Sequence, residues 1–103
     1  MTPREPSRRK LLTIVAESAL EGPISREIKR LGARGYTVVA ARGEGSRGVR
    51  QGNWEQNANV EIQVVCSDET ARSIMDCLYD QFYEDYAMVA WVADVEILRG
   101  EKF

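Results

Sequence analysis

The chain contains no histidine. That absence removes Ser-His-Asp and Cys-His nucleophilic catalysis, histidine general bases, and most zinc and iron sites. Cysteine is nearly as scarce. Cys66 and Cys77 are far apart and lack CxxC spacing, so a disulfide scaffold is excluded and both read as small core residues in a reducing compartment. No apolar run reaches the length of a membrane-spanning helix, and the N-terminus lacks the apolar core of a secretory signal. A cytoplasmic location is expected. A large excess of either charge is also missing: 14 Lys+Arg against 16 Asp+Glu leave a formal net charge of -2. A surface shaped throughout for nucleic acid would be basic, so no nucleic-acid partner is expected and any affinity for phosphate must be local.

What is present fits one domain of 103 residues, 44% hydrophobic and 29% charged. Residues 1–9, MTPREPSRR, carry prolines and arginines without an apolar pattern and read as a disordered tail ahead of a single domain spanning 10–103. From Lys10, KLLTIVAE has the branched, apolar content of a buried strand. A helix starts between residues 18 and 23, either at a Ser18-x-x-Glu21 capping box or at Gly22-Pro23. Ile24, Ile28 and Leu31 share its inner face, and Gly32 and Gly35 end it. Tyr36 to Ala40 is a second strand, and NVEIQVVC (59–66) alternates like a half-buried third. Ser67 supplies an N-cap for a helix with Ala71, Ile74, Met75, Leu78, Phe82 and Tyr86 at helical spacing. Residues 87–98 form a last strand interrupted at Asp94, with Val89, Trp91 and Val95 in one apolar set and Ala90, Val92 and Ile97 over the other.

The resulting order, β-α-β-β-α-β, predicts an α+β, ferredoxin-like fold: an antiparallel four-stranded sheet with two helices on one face. The uncovered face is apolar in the last strand, and such a face is usually hidden in an oligomer. Between strands 2 and 3 lies a polar connection of roughly fifteen residues, a length that is usually functional or disordered. It contains Gly43-Glu44-Gly45-Ser46-Arg47-Gly48, which spells the GxGxxG dinucleotide fingerprint. The fingerprint needs a helix directly after it; VRQGNWEQNAN has no helical periodicity and leads to a strand, so a Rossmann loop is excluded. No GK[ST] follows, which excludes a Walker loop. The composition still suits an anion. Gly43, Gly45 and Gly48 let backbone N–H groups approach closely, and Arg47 and Arg50, with Arg42 and Ser46 nearby, add phosphate donors. These residues fit a phosphate-bearing small molecule or a plain mobile loop equally well. Trp54 reads as a partner-contact or subunit-contact residue, and Trp91 as packing.

The strand-and-loop sequence GYTVVAARGEGSRGVR, the later DYAMVAWVADVEIL and the element order resemble the PII-like signalling proteins, nearest the branch of bicarbonate-transporter regulators (SbtB) and carboxysome-associated members. The likeness spans residues 10–99. It implies a homotrimer with inward-facing sheets that binds adenine nucleotides in clefts between subunits, the long connection being the T-loop. The resemblance carries phosphate contacts onto Gly43, Gly45, Ser46, Arg47 and Arg50, an adenine border onto Ala87, Met88 and Val89, a cleft-facing role onto Gln63, and a sugar-side role onto Thr37. Ordering of the T-loop on ligand binding would then alter docking to a bicarbonate transporter at the membrane or to a carboxysome-related protein. No lysine-rich phosphate loop precedes the last strand, so AMP, ADP or cyclic AMP match better than ATP; bicarbonate is a further candidate ligand beside Arg47 or Arg50. Neither a resident cofactor nor an enzymatic activity is expected. The alternatives within the fold are a CutA-type metal-tolerance trimer, disfavoured by the missing histidines, and a slow nucleotide-hydrolysing enzyme, which lacks an evident base.

Overall fold

One long strand organises the molecule. The structure is a computed structural model and describes residues 5–43 and 59–103. Strand β1 (Ser7–Glu17) runs through the middle of a four-stranded antiparallel sheet, flanked by β3 (Asn59–Cys66) and β4 (Val89–Ile97), with β2 (Thr37–Ala41) outside β3. The order β2-β3-β1-β4 leaves β2 and β4 as opposite edges. Helices α1 (Glu21–Arg30) and α2 (Asp68–Gln81) complete the expected β-α-β-β-α-β arrangement.

Alternation along the strands sorts side chains onto two faces. Leu12, Ile14 and Ala16 of β1 and Val60, Ile62, Val64 and Cys66 of β3 form one buried set, covered by Ile24 and Ile28 of α1 and Ala71, Ile74 and Leu78 of α2. Ile14 pairs with Ile62 on one side and Ala90 on the other, so the core is continuous across the register. Burying each leucine, isoleucine or valine of this set stabilises the fold by roughly 1.5–3 kcal/mol.

Helix ends follow the local chemistry, with one exception. Ser67 caps α2 by accepting the Thr70 N–H at 3.1 Å, and Asp68 and Glu69 complement the first turn. Helix α1 ends in a Schellman arrangement: Ala33 N–H bonds to Ile28 C=O at 3.0 Å and Gly32 N–H to Lys29 C=O at 3.1 Å, with Gly32 at φ 110. Its start falls inside the expected window of residues 18–23, with Gly22 and Pro23 in the first turn, but of the two start signals the first is not used. The Ser18 capping box does not form; residues Ser18–Leu20 make a 3-10 turn instead, and α1 begins at Glu21 without a side-chain cap.

Four further expectations need correction. The tail assigned to residues 1–9 is too long, because Ser7, Arg8 and Arg9 pair with Ile97, Glu96 and Val95 of β4. Backbone pairing is indifferent to the polarity of those side chains, which is why an apolar count misses them. Asp94 does not interrupt β4; it pairs with Lys10, whose ammonium also donates to its carboxylate. Ile97 stands two positions beyond Val95, so the alternation puts both on the same face. Helix α2 stops before Phe82, which is buried, and Tyr86 lies in the following turn.

Candidate functional site

The face of the sheet away from the helices carries the candidate site. In register across it run Thr37, Gln63, Thr13 and Trp91 in one row, and Val39, Glu61, Val15 and Val89 in the next. Val39, Trp91 and Val89 are between 46% and 50% exposed, whereas Thr13 is buried between its neighbours in the row. Glu61 accepts a hydrogen bond from Gln63 Nε2 at 2.7 Å, which sets a carboxylate and an amide side by side between Val39 and Val15 in one row and Thr37 and Thr13 in the other. Sequence reading singled out Thr37 and Gln63 separately; the register makes them direct partners. It missed Glu61, whose only signal was its place opposite Val39 and Val15 on the uncovered side of an alternating strand.

The remaining expected residues fall into two groups. Gly43 lies two positions past the end of β2, and is exposed with open space where a Cβ would be. Ala87 and Met88 lead into Val89 at the start of β4. The register puts both groups at the same end of the sheet, since Ala41 pairs with Asn59, Asn59 with Glu17, and Val89 with Val15. They nevertheless stand on opposite edges, separated by three strand spacings of about 4.8 Å, or roughly 14 Å. Met88 packs its side chain against the core, leaving its backbone as the group open to a ligand. Gly45, Ser46, Arg47 and Arg50 lie outside the described residues.

A concavity does form at the opposite end of the sheet, where Arg8, Arg9, Lys10 and Arg34 meet the turn at Gly100. Most of these cations are already engaged. Arg9 donates to Gly100 C=O at 2.7 Å, Arg34 to Glu101 C=O at 3.0 Å, and Lys10 pairs with Asp94 and, at 3.8 Å, with Asp68. The Arg-Arg-Lys run at 8–10 was the available signal for this cluster, and assigning residues 8 and 9 to a tail hid it. Burial pushes the Cys66 and Cys77 thiols above their ordinary range, with Asp68 and Glu27 respectively adding to it, so neither is an activated nucleophile. Among the described residues no group of three His, Cys, Asp or Glu side chains could hold a metal ion, and no helix is long and apolar enough to cross a membrane.

The family model for nitrogen regulatory protein P-II matches residues 9–102. A crystal structure from Thermus thermophilus, described as that of a PII-like signalling protein, is 44% identical, with TM-score 0.82 over 96% of this chain and 98% of that one. A structure of CPII from Thiomonas intermedia K12 bound to ADP and bicarbonate is 27% identical, with TM-score 0.83 over 96% and 97% of the two chains. A second CPII structure, bound to ADP, AMP and bicarbonate, is 26% identical with TM-score 0.80, covering 96% of both chains.

Proposed function

The chain belongs to the nitrogen regulatory protein P-II family, and from that premise we propose that it is a regulatory protein that binds adenine nucleotides, with ADP or AMP preferred, in clefts between the subunits of a homotrimer. The observation that carries this reading is the split site. The loop root at Gly43 and the β4 entry at Ala87–Val89 occupy the same end of the sheet but opposite edges, which supports a site completed by a second chain over one closed within a single chain. A neighbouring copy, with its β4 edge set against this β2 edge, would bring them together. The half-exposed apolar surface of Val39, Val89 and Trp91 supplies a reason for the copies to associate.

Within that cleft, Gly43, Gly45, Ser46, Arg47 and Arg50 hold the phosphates. Ala87, the Met88 backbone and Val89 border the adenine, while Gln63 and Thr37 face the cleft from the sheet. The CPII structures that hold ADP with bicarbonate support bicarbonate as a second ligand here. Ligand binding at the root of the segment between β2 and β3 then controls that segment's docking to a partner concerned with inorganic-carbon uptake or the carboxysome, without chemical turnover of the nucleotide.

Calorimetry of the full chain with AMP, ADP, ATP and cyclic AMP, each with and without bicarbonate, tests this reading. We expect ADP or AMP to bind and bicarbonate to change the affinity. Arg47→Ala and Arg50→Ala should each weaken binding by about 1.5–3 kcal/mol, the range for charge-assisted hydrogen bonds. No heat with any adenine nucleotide would overturn the proposal, and unchanged affinity in both variants would overturn the assignment of the loop.

A further inference from the structure

The outer end of α2 is built differently from the rest of the surface. Tyr79 is 67% exposed and Tyr83 57%, their rings 5.6 Å apart and tilted by 42°; Tyr86, 41% exposed, stands one turn further on. Three exposed tyrosines on one short stretch are unusual for a monomer surface, because each leaves a large ring face in water. Around them stand Asp76, Asp80, Glu84 and Asp85, all exposed and none in an ion pair with any described residue. Three other carboxylates find cations: Asp68 lies beside Arg72 at 3.3 Å, Glu27 beside Arg30 at 2.7 Å, and Asp94 beside Lys10. What separates Asp76, Asp80, Glu84 and Asp85 from scattered exposed carboxylates such as Glu21, Glu69 and Glu96 is their crowding into residues 76–85 around the tyrosines. The last turn of α2 also has no basic residue, so these carboxylates crowd the negative pole of the helix without compensation. The arrangement is locally repulsive in the free chain, and a cation-bearing partner relieves it.

We propose that this tyrosine face is a docking surface for a basic polypeptide segment, one carrying several arginine side chains. Guanidinium groups stack on tyrosine rings within about 6 Å and pair with carboxylates at the rim, so the aromatic and acidic components select the same chemistry. Nucleic acid and anionic lipid carry the wrong charge, and the residues form no metal-holding group. Tyr79, on α2, and Tyr83, packed beside it, lie on the helical side of the sheet, opposite the face that carries Val39, Val89 and Trp91, so this part of the surface stays open if the other face is covered by copies of the chain. The proposal is independent of nucleotide binding.

The test uses fluorescence anisotropy of a labelled nonapeptide of alternating arginine and glycine, with the full chain at low salt and no nucleotide. Saturable binding is expected. Tyr79→Ala with Tyr83→Ala should weaken it at least tenfold, as should the triple variant Asp80→Asn, Glu84→Gln, Asp85→Asn. Tyr79→Phe with Tyr83→Phe keeps the ring faces and should stay within about threefold of wild type. Glu21→Gln, Glu69→Gln, Glu96→Gln removes the same charge elsewhere and should also stay within threefold. No binding, an equal loss in that distant triple, or no loss in the alanine pair would overturn the proposal. A concentration-dependent rise in mass, without peptide and abolished by the alanine pair, would overturn it in favour of a second copy of the chain as occupant.

Discussion

Gly100 is the residue whose identity the fold constrains most visibly. It is buried where the chain turns back after β4, following Arg99, which adopts a left-handed φ of 64. A Cβ at this position would lie inside the Ser7 side chain and within 3.3 Å of Arg9 Nη2. The Arg9 guanidinium is not free to retreat, because it already donates to the Gly100 carbonyl and to Arg8 C=O at 2.8 Å. Gly100→Ala should therefore overpack the junction of β1 with the C-terminal turn and destabilise the protein by about 1–3 kcal/mol. For a domain of this size that corresponds to a fall in Tm on the order of 4–8 °C per kcal/mol, read by thermal unfolding at matched protein concentration. Gly35→Ala, with nothing near the added methyl, is the control and should leave Tm within a few degrees. Equal Tm values for both variants would show that Ser7 and Arg9 shift at no cost.

At the scale of the element, the two helices separate a local signal from a tertiary one. The start of α2 is written into adjacent residues: the Ser67 hydroxyl accepts the Thr70 N–H, and two acidic residues follow. Ser67→Ala should cost about 1 kcal/mol, the usual value of such a cap, measurable by chemical denaturation with an unchanged m-value. Ser18→Ala should cost far less, because no side-chain cap forms at that end of α1. A loss at Ser18 as large as at Ser67 would contradict the geometry. The same contrast explains which elements sequence reading located. Strand β3 has the predicted bounds because its alternation is a property of its own residues. Strand β1 extends three residues beyond its apolar run because β4 is long enough to pair with Ser7, Arg8 and Arg9. Of the two start signals offered for α1, the Ser18 box is taken up by a 3-10 turn while Gly22 and Pro23 fall in the first helical turn.

For the whole molecule, the legible and illegible parts of the site divide by distance along the chain. The glycine- and arginine-rich loop root stands out from neighbouring residues alone, as either a phosphate grip or a mobile loop, and residues 44–58 of it lie outside the described residues. The partnership of Thr37 with Gln63, the presence of Glu61 beside it, and the separation of Gly43 from Val89 are consequences of strand order, which no local pattern contains. That separation makes assembly the decisive property. Trp91 sits at the β4 end of the first row and Val89 at that of the second, both about half exposed. Covering what remains of the Trp91 side chain would contribute about 1 kcal/mol per subunit, half of the 1.5–3 kcal/mol gained by full burial of a large apolar residue. Trp91→Asp removes that gain and places an unpaired charge in the interface, at a cost of several kcal/mol. Since about 1.4 kcal/mol is tenfold in affinity, association should weaken by at least 100-fold. In sedimentation velocity the wild type should run as a trimer and Trp91→Asp as a monomer. The variant's fold should survive, since Trp91 lies outside the buried core and its loss opens no cavity there. If nucleotides bind between subunits, calorimetric heat with ADP should disappear along with the trimer. A Trp91→Asp monomer that still bound ADP with wild-type affinity would show that one chain holds the nucleotide alone and would overturn the inter-subunit site that the gap of roughly 14 Å between the sheet edges favours.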